Sequence, residues 1–197
     1  MHEDFALARQ FVRLALVTKP KFDYFPLTEG RVIEYEGEFD QGIEAGTWRK
    51  LEILKVTSQG NTTTAECQWT YRKNGGQESV WKTTVSKDDA WMLRGEGFLP
   101  IPARKLFPLA LVVGAQWRHD RWYYSVDALD YKLYLGEDAG VPLFLENCLQ
   151  VSWHFDEGSG ENIYAPKIGL VKATSNDEQY PFGFVMSNTS IRAAGRP

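Results

Sequence analysis

Apolar and polar residues alternate with a period of two along most of the chain after residue 30. The alternation runs through residues 47–56, 62–72 and 78–87 and continues in "DDAWMLRG" at 88–95. A period of two is typical of β-strands that bury one face. The pattern predicts a mainly β protein with one antiparallel, curved sheet, arranged as a half-barrel or a sandwich.

Residues 3–18, "EDFALARQFVRLALVT", have a different period. Their apolar residues recur at helical spacing and share one face: Phe5, Ala8, Val12, Ala15 and Leu16. Pro20 would end a helix here. We therefore predict one N-terminal helix in residues 1–22, packed on the sheet over one opening. The alternative, a helix that lies on a membrane surface, would need more cationic residues on its polar face.

Gly- and Pro-rich segments separate the alternating stretches. "KNGGQ" at 73–77 and "DEGSGEN" at 156–162 are typical of hairpin turns, because Asn and Gly tolerate positive φ. Residues 98–114 contain three prolines, which exclude a central strand or a helix interior. We predict a covered linker at 98–114, within a single all-β domain at 23–197.

The segments "FPLTEGRVIEY" at 25–35 and "FPLALVVGAQW" at 107–117 resemble each other. In each, Phe-Pro-Leu leads to a Gly and then to a strand with a large aromatic residue. Proline limits early pairing, Phe and Leu can anchor a turn, and Gly permits the bend into the sheet. The similarity is explained equally well by chance or by two similar halves, 23–97 and 105–192.

Four segments taken in order resemble a group of exported bacterial all-β domains of unknown function, sometimes called TapB-like. They are "YFPLTEGRVIEY", "LFPLALVVGAQW", "LENCLQVSW" and "IYAPKIGLVKA". The resemblance covers residues 23–190 and implies a shape similar to the open half-barrel of lipoprotein carriers. Two departures are Ile33–Tyr35, where Trp is usual, and the lack of an export signal. The family implies no catalytic residues.

Charge and hydropathy restrict the partners. The net charge of −4 gives no basic surface for nucleic acid, and no apolar run approaches the ~18 residues of a transmembrane helix. Glu3 and Asp4 occupy the place where a signal peptide carries positive charge. We expect a periplasmic or cell-surface protein if a leader was removed, and a cytoplasmic one if the sequence is complete. The oligomeric state stays open.

Few residues indicate catalysis or metal binding. Cys67 and Cys148 are expected as two buried thiols rather than a disulfide. His154 and Asp156 would share a strand face, but no third ligand completes a metal site, so we expect no cofactor. No nucleophile elbow or phosphate-binding loop is present. A hydrolase with a spatially assembled carboxylate pair is the alternative, with four acidic candidates: Glu34, Glu36, Asp127 and Asp130.

Aromatic residues make up 14% of the chain and include 7 Trp. In "RWYYSVDALDYKLYL", alternation places Trp122 and Tyr124 on one face and Tyr123 on the other. Core packing would explain these residues, and so would a concave sheet that holds an apolar small molecule or an envelope protein. On the second reading the protein is a non-enzymatic binding domain, with five candidate ligand-binding residues: Trp117, Trp122, Tyr124, Tyr131 and Tyr134.

Overall fold

The computed structural model describes residues 22–37, 46–73, 75–94, 105–108, 110–138, 141–156, 158–176 and 182–191. The predicted N-terminal helix lies outside these residues. The described part contains twelve strands: β1 (Arg31–Gly37), β2 (Thr47–Gln59), β3 (Thr62–Lys73), β4 (Ser79–Lys87), β5 (Trp91–Arg94), β6 (Lys105–Pro108), β7 (Gln116–His119), β8 (Trp122–Asp138), β9 (Val141–Phe155), β10 (Gly158–Ala165), β11 (Gly169–Ser175) and β12 (Phe182–Ile191).

All twelve strands form one antiparallel sheet in the order β6-β5-β4-β3-β2-β1-β12-β11-β10-β9-β8-β7. Each strand pairs with the next one in sequence, except that β6 and β7 lie at opposite edges of the sheet. The pairing of β1 with β12 joins the first six strands to the last six. The predicted antiparallel β fold is confirmed. The sandwich alternative is wrong for the described residues, because they form a single, unclosed sheet.

The main core covers one face of the sheet and shows that the sheet curves. Tyr35 of β1 stacks on Trp69 of β3, with ring centroids 5.6 Å apart. Phe107 of the edge strand β6 meets Tyr164 of β10 edge-on at 4.9 Å, although these two strands are far apart in the sheet order. A flat sheet would hold them many strand widths apart. The sheet therefore wraps around the main core.

The two edges of the sheet meet through side chains. Trp117 of β7 lies edge-on to Trp91 of β5 at 6.1 Å. Its Nε1 also donates a hydrogen bond of 3.2 Å to the carbonyl oxygen of Lys105 in β6. No backbone ladder joins β6 to β7 in the described residues, so the sheet stays open at this seam.

The linker prediction for residues 98–114 needs a correction, because residues 105–108 form the strand β6. Trp91 and Pro108 are paired positions of β5 and β6. A proline is tolerated there because β6 is an edge strand, whose outer N–H groups have no partner strand to bond. Residues 95–104 lie outside the described part.

The first Phe-Pro-Leu segment is anchored as expected. Phe25 is 2% exposed and meets Tyr164 edge-on, with centroids 6.3 Å apart. Gly30 has a φ of 80° and donates its N–H to the carbonyl of Ile53 at 2.9 Å. The left-handed conformation of Gly30 carries the chain from the anchor into β1.

The second Phe-Pro-Leu segment repeats this geometry. Phe107 is also 2% exposed and contacts the same Tyr164 ring. Gly114 has a φ of 82° and donates its N–H to the carbonyl of Val126 at 2.8 Å. In both segments a buried Phe contacts the ring of Tyr164, and a glycine with positive φ then turns the chain.

A second, smaller core lies beside the main one and is formed by β8–β11. Its buried members are Leu133, Cys148, Ile163, Ala165 and Val171. Tyr164 and Leu170, the chain neighbours of Ile163 and Val171, belong to the main core. Because neighbouring strand residues point to opposite faces, the sheet is covered on both sides here. The cover is the long β8–β9 hairpin, which register shifts bend at several points of β8.

Candidate interaction site

Two of the candidate ligand-binding residues are part of the main core. Trp122 is 4% exposed and lies 4.1 Å from Phe155, measured between ring centroids. Tyr124 is 5% exposed and stacks on Trp117 at 5.3 Å with nearly parallel rings. Tyr123 points to the opposite face and is exposed, as the alternation predicted. Trp117 is half-buried at the seam, so Trp117, Trp122 and Tyr124 all pack in or against the main core.

In the part of the chain that the structure describes, side chains of the sheet pack on one another over its concave face. At Gly160, an added Cβ would lie 2.1 Å from the carbonyl oxygen of Thr174 and 2.4 Å from the indole of Trp153. A narrow pocket lies between the start of β1, the strand β2 and the β10–β11 turn. This pocket is lined by Phe25, Pro26, Arg31, Ile33, Leu51, Ile53 and Ile168.

Arg31 closes one side of that pocket and ties β1 to the β10–β11 turn. Its Nη1 donates hydrogen bonds to the carbonyl oxygens of Lys167 at 2.8 Å and Ile168 at 3.2 Å. Burial lowers the pKa of the guanidinium, and the nearby Asp23 partly offsets this effect. With two backbone carbonyls bound, Arg31 acts as a brace between elements that share no ladder.

The remaining two candidates lie on the β8–β9 hairpin, on opposite sides. Tyr131 is half-buried and packs against the second core. Tyr134 is 51% exposed and is paired across the ladder with Phe144, at a centroid distance of 5.4 Å. The structure therefore separates Tyr134 from the other four candidates and gives it a partner that sequence reasoning missed.

We call Tyr134 and Phe144 the outer pair. Lys132 lies on the same side, with its Nζ 4.2 Å from the Phe144 ring centroid and 3.3 Å from the carboxylate of Glu146. These contacts form an exposed row of aromatic and charged side chains. The sequence does contain a sign that Phe144 could be exposed. In "VPLFL" at 141–145, apolar residues occupy both strand faces, so one core cannot bury them all.

The other side of the hairpin end carries Val141 and Leu143, which we call the inner pair. Alternation from Leu145, which packs against the second core, places both on the inner side of the hairpin. Val141 is 62% and Leu143 45% exposed. Leu143 is paired with Gly136, whose φ of 112° suits glycine and whose missing side chain leaves a notch beside Leu143.

The acidic candidates for a hydrolase occupy outward positions. The Asp127 carboxylate accepts hydrogen bonds from Ser125 at 2.8 Å and from Ser152. Asp130 and Glu36 are exposed. The carboxyl with a lowered pKa is that of Asp88, because it accepts backbone hydrogen bonds from Ala90 and Trp91 in a turn.

In the described part of the chain, no third ligand joins His154 and Asp156 to form a metal site. His154 instead stacks on Tyr123, with ring centroids 5.2 Å apart and rings nearly parallel. Within the described ranges, no group of three or more His, Cys, Asp or Glu side chains is placed to hold a metal ion.

Both cysteines are free and buried. Cys67 belongs to the main core and Cys148 to the second core. Burial raises the pKa of the Cys67 thiol to about 12 and that of Cys148 to about 11. The expectation of two buried thiols is confirmed, and their raised pKa makes them poor nucleophiles at neutral pH.

Comparisons with known proteins identify the fold. No family model matches the sequence, and no curated protein matches it. A solved structure of a Bacteroides fragilis protein, classed as exported and with a YmcC-like fold, is similar with a TM-score of 0.60 and 13% identity, over 86% of this chain and 99% of that one. A lipoprotein structure from Parabacteroides distasonis gives a TM-score of 0.53 and 15% identity, over 86% and 99% of the two chains.

These similarities show that the chain has a YmcC-like fold. The prediction of a fold used by exported bacterial all-β proteins is confirmed at this level. In the residues that the structure describes, no helix is long and apolar enough to cross a membrane.

Proposed function

We propose that this chain is a non-enzymatic interaction domain of the bacterial envelope that binds a partner protein through the outer pair. The observation that carries the proposal is the contrast between a filled concave face and two large aromatic rings exposed side by side. Tyr134 is 51% and Phe144 43% exposed. Aromatic residues are the commonest energetic anchors of protein interfaces.

The surroundings of the outer pair favour a protein over a small molecule as the partner. Small-molecule sites are concave, whereas the outer pair lies on the exposed side of a hairpin. Lys132 and Glu146 flank it, as the polar rim flanks the apolar centre of a protein interface. An apolar ligand inside the sheet would have to displace core side chains such as Phe25 and Phe107, so a carrier role is not part of the proposal.

The envelope location is supported by the similar structures, which are classed as exported and as a lipoprotein. Membership of the TapB-like group belongs to the same proposal. It is supported by the matching geometry of the two Phe-Pro-Leu segments that carry the resemblance. The hydrolase alternative gains no support from the described residues, because Asp127 is bound by two serines and Glu36 and Asp130 are exposed.

Photo-crosslinking in the host envelope tests the proposal. A benzoyl-phenylalanine in place of Phe144 should give a discrete adduct with another protein, and the same probe in place of Val80 should give none. Val80 is a matched control because it is 55% exposed on the distant strand β4. Adducts with lipid alone at position 144, or equal adducts at both positions, would refute the proposed interaction surface.

Two tyrosine variants of β8 then measure how much Tyr134 contributes to the free energy of partner binding. Tyr134→Ala should weaken partner binding about 30-fold, the equivalent of about 2 kcal/mol for an interface anchor. Tyr123→Ala should leave affinity within about twofold, because Tyr123 is exposed elsewhere and stacks on His154. Equal effects of the two substitutions would contradict the role of Tyr134.

A further inference from the structure

The inner pair is an apolar surface that no described residue covers. Val141 and Leu143 continue the line of Leu145 beyond the second core, and the notch at Gly136 lies between the strands beside them. We propose that residues 3–18 of this chain pack as an amphipathic helix on the inner pair and extend the second core. This proposal is independent of the outer pair, which lies on the other side of the hairpin.

The described chain begins beside the middle of β8, where Phe22, Tyr24 and Leu129 all pack in or against the main core. Phe22, its first residue, meets Tyr24 edge-on with ring centroids 6.2 Å apart. The Tyr24 hydroxyl donates a hydrogen bond of 3.3 Å to the carbonyl oxygen of Leu129 in β8. Burial, Cys148 of the second core and Asp130 all raise the pKa of Tyr24. The described chain therefore enters the fold beside β8, the strand that continues to the inner pair.

The segment has the length to reach the inner pair. From Leu129 to Gly136, which is paired with Leu143, β8 advances seven residues, or about 23 Å. A helix of residues 3–18 would be about 24 Å long, with residues 19–21 as a connection. A helix that starts beside Leu129 can thus run along the hairpin to its end.

Charge and area distinguish this occupant from a second copy of the chain. Arg9 and Arg13 share one helical face, and Glu137 and Asp138 are exposed next to the inner pair. The opposite signs would favour this placement of the helix. A stable dimer buries about 800 Å² on each partner, far more than two half-exposed aliphatic side chains can supply, whereas one helix face needs much less.

Crosslinking within the purified full chain tests the docking. A benzoyl-phenylalanine in place of Leu143 should crosslink to residues 3–18 of the same molecule, as shown by peptide mass spectrometry of a mixture of ¹⁴N- and ¹⁵N-labelled protein. The probe at Val80 should not. Crosslinks between labelled and unlabelled copies, crosslinks to other segments, or no crosslink at position 143 would each overturn the proposal.

Two substitutions that add the same charge provide the matched comparison. Val12→Asp lies on the apolar face of the segment and should lower the crosslink yield from position 143 at least tenfold. Gln10→Asp lies on the opposite face and should leave the yield within twofold. If the two variants gave the same yield, the apolar face of the segment would not be what contacts the inner pair. Neither result bears on partner binding, because purified protein contains no partner.

Discussion

Phe25 and Phe107 come from distant parts of the sequence and press on the same ring, that of Tyr164. Each is almost fully buried, and each precedes a proline and a left-handed glycine that leads into a strand. A ring that is buried on all sides contributes to stability through its lost water contact and through the cavity that its removal would leave. Phe25 and Phe107 therefore anchor their two segments in the core on the concave face.

Phe25→Ala should lower the free energy of unfolding by about 3–5 kcal/mol, because it leaves a cavity against Tyr164 and Gly169. The urea midpoint of the purified protein measures the loss. Val80→Ala is the control and should change stability by less than about 0.5 kcal/mol, since Val80 is exposed. A loss below about 1 kcal/mol for Phe25→Ala would show that the segment is not an anchor.

Cys67 makes stability depend on alkaline pH. Burial raises its pKa from 9.0 to about 12 in the folded protein. The unfolded chain therefore releases the thiol proton first, so the stabilising contribution is complete below about pH 9 and is lost as pH rises toward 12. Between about pH 10 and 11, this thiol alone should reduce stability by about 1.4 kcal/mol per pH unit.

Urea unfolding of the wild type and of Cys67→Ala at several pH values isolates this effect. The substitution should lower stability at neutral pH, where the thiol is protonated in both states, and should flatten the alkaline slope by the Cys67 share. Cys148, whose pKa is also raised, keeps a residual slope. An unchanged slope in Cys67→Ala would mean that the thiol does not stay protonated in the core.

At the level of elements, the long β8–β9 hairpin is the irregular part of the sheet. Its register shifts bend β8, and the bent part covers the second core with one side while the other side carries the outer pair. Successive residues of β8 therefore have opposite roles. Leu133 is 5% exposed and Tyr134 is 51% exposed.

This arrangement predicts opposite results for two adjacent substitutions. Leu133→Ala should cost about 2–5 kcal/mol of stability, because it opens a cavity in the second core. Tyr134→Ala should change stability by less than about 0.5 kcal/mol while it weakens partner binding. Chemical denaturation of both variants provides the comparison, and similar losses would mean that the hairpin does not cover the sheet in this way.

The same hairpin shows why the strands could be predicted from the sequence, whereas the positions of only some of the aromatic candidate residues could. Alternation correctly placed Trp122 and Tyr124 together and Tyr123 opposite, but a period of two does not reveal which face is inward. Several register shifts after Val126 interrupt the regular pairing of β8 with β9, so alternation counted from Tyr124 does not reveal that Tyr131 packs against the second core while Tyr134 is exposed. Such shifts depend on how two strands pair, which a pattern within one strand does not record.

The hairpin turns were predictable for a local reason. Gly75 in "KNGGQ" has a φ of 69°, which glycine adopts without strain. The second predicted turn, 156–162, is correct in place but too long, because β9 ends at Phe155 and β10 already begins at Gly158. The strand β6 was missed because its three neighbouring prolines argue against pairing, and only its edge position makes pairing tolerable.

At the scale of the whole molecule, two runs of six strands meet at the β1–β12 ladder, and the two edges meet again at the Trp117 seam. We propose that the two similar halves suggested by the repeated Phe-Pro-Leu segments, 23–97 and 105–192, correspond to these two runs, with the difference that β6 of the second half pairs with β5 of the first. The shared Tyr164 contact and the matching glycine turns support this proposal. The consequence for function is that side chains from both halves fill the concave face between them.

Native mass spectrometry of the protein, purified from its host under gentle conditions, tests most directly whether the concave face is filled. We predict the mass of the bare chain, alone or with a partner protein, and no bound lipid. A stoichiometric acyl-chain lipid that remains bound, and that is lost from a variant such as Phe107→Trp which overfills the concave face, would contradict the account.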